Sequence, residues 1–293
     1  MICIWRAKLK KLLIVVLAVL LIFFGGCTQV PEQDEYTVVA SFYPLYISAL
    51  NLTEGVDGVR VVNMAGQQAG CLHDYQLQNR DMRTLEDADL FLVNGAGMEN
   101  FLEKVTEHLP ELSVADASEG FELIDDNPHI WVSPRGNAYQ VRKIAAALKA
   151  GDPAHLEQYE RNEAAYLEKL DALLREMHEK LDPLRGRDIV TMHEAFPYLA
   201  KEFSLNTVGV INREPDSSPS AREIAETIDL VRELHVTALF AEPQYSTSAA
   251  DIIAGETDAK VYTLDPVVTG EDSPDAYLQA MRNNTDTLLE ALG

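Results

Sequence analysis

Residues 152–183 read DPAHLEQYERNEAAYLEKLDALLREMHEKLDP, and this stretch decides the fold. Asp152 is a capping acid and Pro153 stands at a first helical position. Apolar side chains follow at Leu156, Tyr159, Leu167, Leu170, Leu174, Met177 and Leu181, and Pro183 stops the run. At 1.5 Å per residue such a helix is about 45 Å long, far longer than its neighbours in the chain. A stiff connector between two lobes is the expected role.

Strand and helix patterns alternate on both sides of it. Before it come strands at 37–42, 59–64 and 90–94, and helices at 45–52, 82–88, 100–108 and 137–149. After it come strands at 188–192, 206–210, 237–241 and 260–264. Helices are expected at 198–203, 220–234 and 275–292, and Ser220 with Glu223 forms a capping box. The expected fold class is α/β, two lobes with mainly parallel sheets joined by one long rigid helix. The boundaries fall at 36–151 for the first lobe, 152–183 for the linker and 184–293 for the second lobe.

The chain opens with Arg6, Lys8, Lys10 and Lys11, then an apolar run from Leu12 to Phe24, then Gly25-Gly26-Cys27. Charged, apolar and small segments in that order predict an export signal over 1–26. The run is shorter than the roughly 20 residues of a spanning helix. Residues 27–35 are polar and read as a tether. Loss of the four basic residues with the signal takes the formal charge from −23 to −27. That acidity opposes binding to nucleic acid and to anionic lipid surfaces. Cys3 leaves with the signal, so Cys71 has no internal partner if Cys27 is modified. Packed cores, rather than disulfides, must then hold the fold.

Three histidines sit in distinctive phrases: Leu72-His73-Asp74-Tyr75, Asn127-Pro128-His129-Ile130-Trp131 and Met192-His193-Glu194-Ala195-Phe196. Leu264-Asp265-Pro266 adds a carboxylate. Three imidazoles and one carboxylate make a four-coordinate shell suited to Zn²⁺. His193, Glu242 and Asp265 each follow a predicted strand, at the sheet edge where open α/β folds bind ligands. Glu242 is expected to accept a hydrogen bond from the far side of a ligand imidazole, with an exposed turn acid as the alternative. Cys71 reads as a buried inert thiol, with thiolate ligation the alternative. His108, His155, His178 and His235 read as structural or surface groups.

These phrases, with Ser41-Phe42-Tyr43-Pro44-Leu45, Leu85-Glu86-Asp87-Ala88-Asp89 and Glu242-Pro243-Gln244, resemble the solute-binding proteins of bacterial zinc and manganese ABC transporters, often called cluster A-I. The resemblance runs over nearly the whole chain after the signal. It implies two α/β lobes around one rigid helix, with the metal between them. It further implies His73, His129, His193 and Asp265 as ligands. Manganese members carry glutamate where His193 stands, so the resemblance favours Zn²⁺ as the transported ion and Mn²⁺ as the alternative. Gly25-Gly26-Cys27 resembles a bacterial lipobox, with Phe24 where leucine is usual, which implies lipidation at Cys27.

The implied function is extracytoplasmic zinc capture by a lipid-anchored monomer and delivery to an ABC transporter permease, without catalysis. Two departures from the family stand out. Gly70-Cys71-Leu72 precedes the first histidine, where Asp-Pro is common. Only Glu122, Asp125 and Asp126 occupy the place of a histidine-rich loop. A competing expectation is an exported zinc hydrolase, with three histidines, a bound water and Glu194 or Glu242 as base. The chain carries no HExxH motif to support it.

Overall fold

Two four-stranded parallel sheets organise the chain. The computed structural model describes residues 35–67, 71–72, 75–211 and 219–293. The expected signal, Cys27, most of the tether and His73 lie outside the described residues. The first sheet comprises β1 (Tyr36–Ala40), β2 (Val59–Asn63), β3 (Leu90–Val93) and β4 (Ser113–Asp116), ordered β2-β1-β3-β4. The second comprises β5 (Asp188–Thr191), β6 (Asn206–Val210), β7 (Ala238–Ala241) and β8 (Lys260–Thr263), ordered β6-β5-β7-β8. The strand order is the same in both lobes. Each reverses direction once, between β1 and β3 and between β5 and β7, and such a switch point opens a crevice at the strands' carboxyl ends.

The inner strands are buried on both faces, as parallel strands between helical layers must be. Their side chains alternate between two cores. Val38, Ala40, Leu90, Leu92, Ile189, Ala238 and Phe240 point into one core shared by both lobes. Val39, Phe91 and Val93 face a separate core in the first lobe, and Val190, Leu239 and Ala241 one in the second.

The first lobe carries α1 (Tyr43–Leu52), α2 (Asn79–Glu86), α3 (Leu102–His108) and α4 (Pro134–Gly151). The spine is α5 (Leu156–Leu181), which buries Tyr159, Tyr166, Leu170, Leu173, Met177 and Leu181. The second lobe carries α6 (Pro197–Phe203), α7 (Ala221–Leu234), α8 (Ser248–Gly255) and α9 (Ala276–Leu292). The spine packs on α4 and α1 of the first lobe and on α9 of the second. Among the described residues no helix is long and apolar enough to cross a membrane.

Several expectations need adjustment. The spine is α-helical only over 26 residues, about 39 Å. Each proline instead lies in a 3₁₀ turn, at Pro153–His155 and Asp182–Leu184. Asp152 does not cap backbone there; its carboxylate takes the Tyr159 hydroxyl at 2.7 Å and meets His155 Nδ1 at 2.6 Å. The start of α2 precedes Met82 because the Asp81 carboxylate accepts the Gln78 amide at 2.7 Å. Strand β4 was not expected, since Ser113-Val114-Ala115-Asp116 is a short edge with largely exposed side chains. Helix α8 was not expected either, because alanine and glycine weaken its apolar period.

Trp131 joins the lobes. It is fully buried and meets Phe42 edge-on, with ring centroids 5.0 Å apart. Its indole Nε1–H donates to the Pro266 carbonyl of the second lobe at 2.7 Å, and its own carbonyl accepts the Tyr277 hydroxyl of α9 at 2.8 Å. A buried indole requires such a partner.

Candidate metal centre

His129 enters the site from the segment that leads into α4. Ser133 caps that helix, accepting the Gly136 amide at 3.0 Å, and Pro134 occupies the first helical position. A Cβ at Gly136 would collide with the Ile130 carbonyl oxygen, so the turn after His129 closes only over glycine. Behind it, Asn94 at the end of β3 donates to the Pro128 carbonyl at 3.0 Å, and Gln140 holds the Asn94 amide oxygen at 2.8 Å. Glu99 secures that strand end by accepting the Asn94 amide at 2.7 Å and the Ser41 hydroxyl at 2.8 Å.

Asn127 sets the state of the imidazole. Its Nδ2 donates to the Glu194 carbonyl at 2.8 Å, which fixes the amide orientation. Its Oδ1 therefore faces His129, accepting the backbone N–H and the ring Nδ1–H, each at 3.0 Å. With the proton on Nδ1, the lone pair of His129 sits on Nε2 and points into the site. The same asparagine links the lobes, because Glu194 follows β5. Tyr198 of α6 reinforces the link by donating to the Asn127 carbonyl at 2.6 Å.

His193 lies two residues beyond β5, at the switch point of the second sheet. Its Nε2 is 3.2 Å from His129 Nε2, and both residues are buried, 3% and 0% exposed. Two ring nitrogens so close need a proton or a cation between them. Cys71, from the loop after β2, brings its Sγ to 3.6 Å from His129 Nε2. Donor atoms of Cys71, His129 and His193 all lie within 4.8 Å of one another.

Neither Glu242 nor Asp265 is a member of that group. Glu242 follows β7 across the switch point, and it is 1% exposed. Among the described residues neither of its oxygens has a hydrogen-bond partner. Burial, with the nearby Asp265 charge adding, pushes its carboxyl up to about 8. The acceptor at His129 Nδ1 is Asn127. Asp265 is half-buried and commits Oδ1 to the Val267 amide at 2.7 Å. Its backbone is clamped by Asn284 of α9, which accepts the Asp265 amide at 2.8 Å and donates to its carbonyl at 2.7 Å. Burial raises its carboxyl as well. Asp265 does not belong to the tight group of donors among the described residues.

Of the sequence-derived ligand candidates, the structure therefore brings His129 and His193 together, does not include Asp265 in that tight group, and leaves His73 outside the described residues. Asn127 was missed, although an asparagine two residues before a histidine is the pattern by which an Asx side chain bonds its own backbone. Among the histidines read as structural or surface groups, exposed His108 bonds the Lys104 carbonyl of its own helix at 2.8 Å. His178 bridges Asp182 at 2.9 Å and Glu202 at 3.0 Å, His155 meets Asp152, and His235 ends α7 in the left-handed region with φ 51°.

The chain is similar to several known proteins. A curated relative, the high-affinity zinc uptake system protein ZnuA of Brucella abortus, is 28% identical over 92% of this chain and 95% of its own. The iron-binding protein YfeA of Yersinia pestis is 31% identical over 88% of this chain and 87% of its own. The Mn²⁺ complex of the solute-binding protein FpvC from Pseudomonas aeruginosa superposes with a TM-score of 0.80 at 26% identity, covering 88% of this chain and 98% of that one. The family profile described as zinc-uptake complex component A, periplasmic, matches residues 38–291. The chain accordingly belongs to the ZnuA family of periplasmic zinc-uptake components.

Proposed function

We propose that the protein captures Zn²⁺ outside the cytoplasmic membrane and hands it to an ABC-type permease. The observation that carries this reading is the pair of buried imidazole nitrogens, one from each lobe, 3.2 Å apart. Tetrahedral zinc with Zn–N bonds of about 2.0–2.1 Å sets N···N edges of about 3.4 Å, close to that separation. His129 and His193 form the heart of the site, and the family pattern adds His73 and Asp265. The relatives named above bind zinc, iron or manganese, so the donors must decide among them. A shell rich in imidazole favours zinc over manganese, which tolerates more oxygen.

Binding without turnover fits this site. A shell closed by protein donors leaves no position for an activated water, and neither lobe supplies the HExxH arrangement of a hydrolase. Residues 36–151 and 184–293 serve as the two lobes, 152–183 as their linker, and Cys27 as the lipid attachment that holds a monomer on the extracytoplasmic face of the membrane.

The test is competition. Mature protein is stripped with chelator, equilibrated with equimolar Zn²⁺ and Mn²⁺, desalted and analysed for metal. One zinc per chain with little manganese is expected. Retained manganese, or no retained metal, contradicts the proposal.

A further inference from the structure

We infer that Cys71 is a direct thiolate ligand of the captured ion, taking the corner that the family pattern gives to Asp265. This inference rests on the metal-capture reading and sharpens it, because a thiolate is the donor that separates zinc from manganese.

Geometry supports it first. A Zn–S bond of about 2.3 Å with Zn–N bonds of about 2.0–2.1 Å sets tetrahedral S···N edges of about 3.6 Å. The observed Cys71 Sγ to His129 Nε2 separation is 3.6 Å. Together with the His129–His193 pair, two of the three donor separations match tetrahedral edges, and the third lies within 4.8 Å. Asp265 is not part of that group, and one of its oxygens is already held by the Val267 amide.

The loop also aims the sulfur. Leu72 is fully buried in the shared core and its carbonyl accepts the Tyr75 amide at 3.0 Å, so the residue beside Cys71 is fixed. Cys71 itself is 7% exposed and forms no disulfide. A second, independent feature points to a cation here. The Glu242 carboxylate is enclosed with neither oxygen hydrogen-bonded among the described residues, and its charge adds to the burial that raises the Cys71 thiol. A buried carboxylate and thiol without a cation repel each other when charged, whereas a dication satisfies both.

Ligation replaces the S–H bond by an S–Zn bond. The thiol proton leaves to solvent, and no electron transfer is involved.

Co²⁺ provides the test, as a spectroscopic substitute for zinc. Wild-type protein loaded with one Co²⁺ is expected to show an intense sulfur-to-cobalt charge-transfer band in the near ultraviolet beside its d–d bands. Cys71→Ser should lose the former, keep the latter and bind zinc roughly tenfold or more weakly, with manganese affinity little changed. Asp265→Asn should keep the charge-transfer band. Cobalt bound by the wild type without that band overturns the ligand assignment while leaving metal capture intact. Failure of the wild type to bind cobalt or zinc at all overturns the capture reading instead. The wild-type spectrum decides the assignment even if Cys71→Ser does not fold.

Discussion

The Nε2 atoms of His129 and His193 lie 3.2 Å apart although the residues belong to different lobes, 64 positions apart in sequence. Each reaches that point by a separate device. His193 is delivered by a strand end at a topological switch, while His129 is delivered by a turn that Asn94, Asn127 and Gly136 together permit. The lobes meet through one continuous apolar core and through Trp131, so the imidazoles converge in a packed interface.

Asn127→Ala should weaken zinc binding about 10- to 100-fold, the usual effect of removing the acceptor behind a ligand imidazole. The substitution frees the His129 ring to rotate or change tautomer and removes the bond to the Glu194 carbonyl. Competition against a chromophoric chelator measures it. Unchanged affinity contradicts the orienting role.

Zinc should raise the unfolding temperature in a concentration-dependent way. A ligand that binds only the folded state contributes about 2.7 kcal/mol at a hundredfold excess over its dissociation constant. Calorimetry with increasing zinc should show the shift in the wild type, its reversal by chelator and its near absence in His193→Ala. Equal shifts in both proteins would mean the stabilising ion sits elsewhere.

Glu99 makes stability depend on pH. Burial lifts its carboxyl from the ordinary 4.5 to about 7 in the folded chain, despite the bonds from Ser41, Asn94 and Gly95. The folded state therefore holds the proton more tightly than the unfolded state. The contribution is complete below pH 4.5 and is lost as pH rises towards 7. The span corresponds to roughly 3 kcal/mol. Urea unfolding across that window should show the stability difference between wild type and Glu99→Gln shrinking or changing sign as pH rises. A constant difference rules the linkage out.

Trp131→Phe should destabilise the fold by about 1–3 kcal/mol while leaving metal stoichiometry intact. The phenyl ring can keep the contact with Phe42 but cannot donate to the Pro266 carbonyl, which then stays buried without its donor. Denaturant midpoints and elemental analysis on the same preparation check both halves of the expectation.

The paired lobes were legible in the sequence because long-range order there follows from simple periods. Leu90-Phe91-Leu92-Val93 and Ala238-Leu239-Phe240-Ala241 are apolar throughout and bounded by turn residues, as strands buried on both faces require. The spine was legible from seven spaced apolar residues between two prolines. Elements at the margins were harder to see. Strand β4 is held by parallel pairing with β3, from Leu90 with Ser113 to Val93 with Asp116, rather than by any apolar pattern of its own. At the site, the histidine phrases stood out, yet the hydrogen-bond partner of each ring depends on tertiary placement. Asn127 serves His129 only because Glu194 of the other lobe fixes its amide, and Glu242 is buried where no donor among the described residues reaches it. The nearness of Cys71 to His129 joins loops 58 residues apart, a relation no local spacing records.

The most direct test of the central claim is the zinc content of stripped and reloaded protein, measured by elemental analysis for wild type, His129→Ala and His193→Ala. The account predicts one zinc per wild-type chain, and a loss of tightly held zinc when either lobe's imidazole is removed. Full zinc occupancy in both variants, at the wild-type affinity, would contradict an ion shared between the lobes.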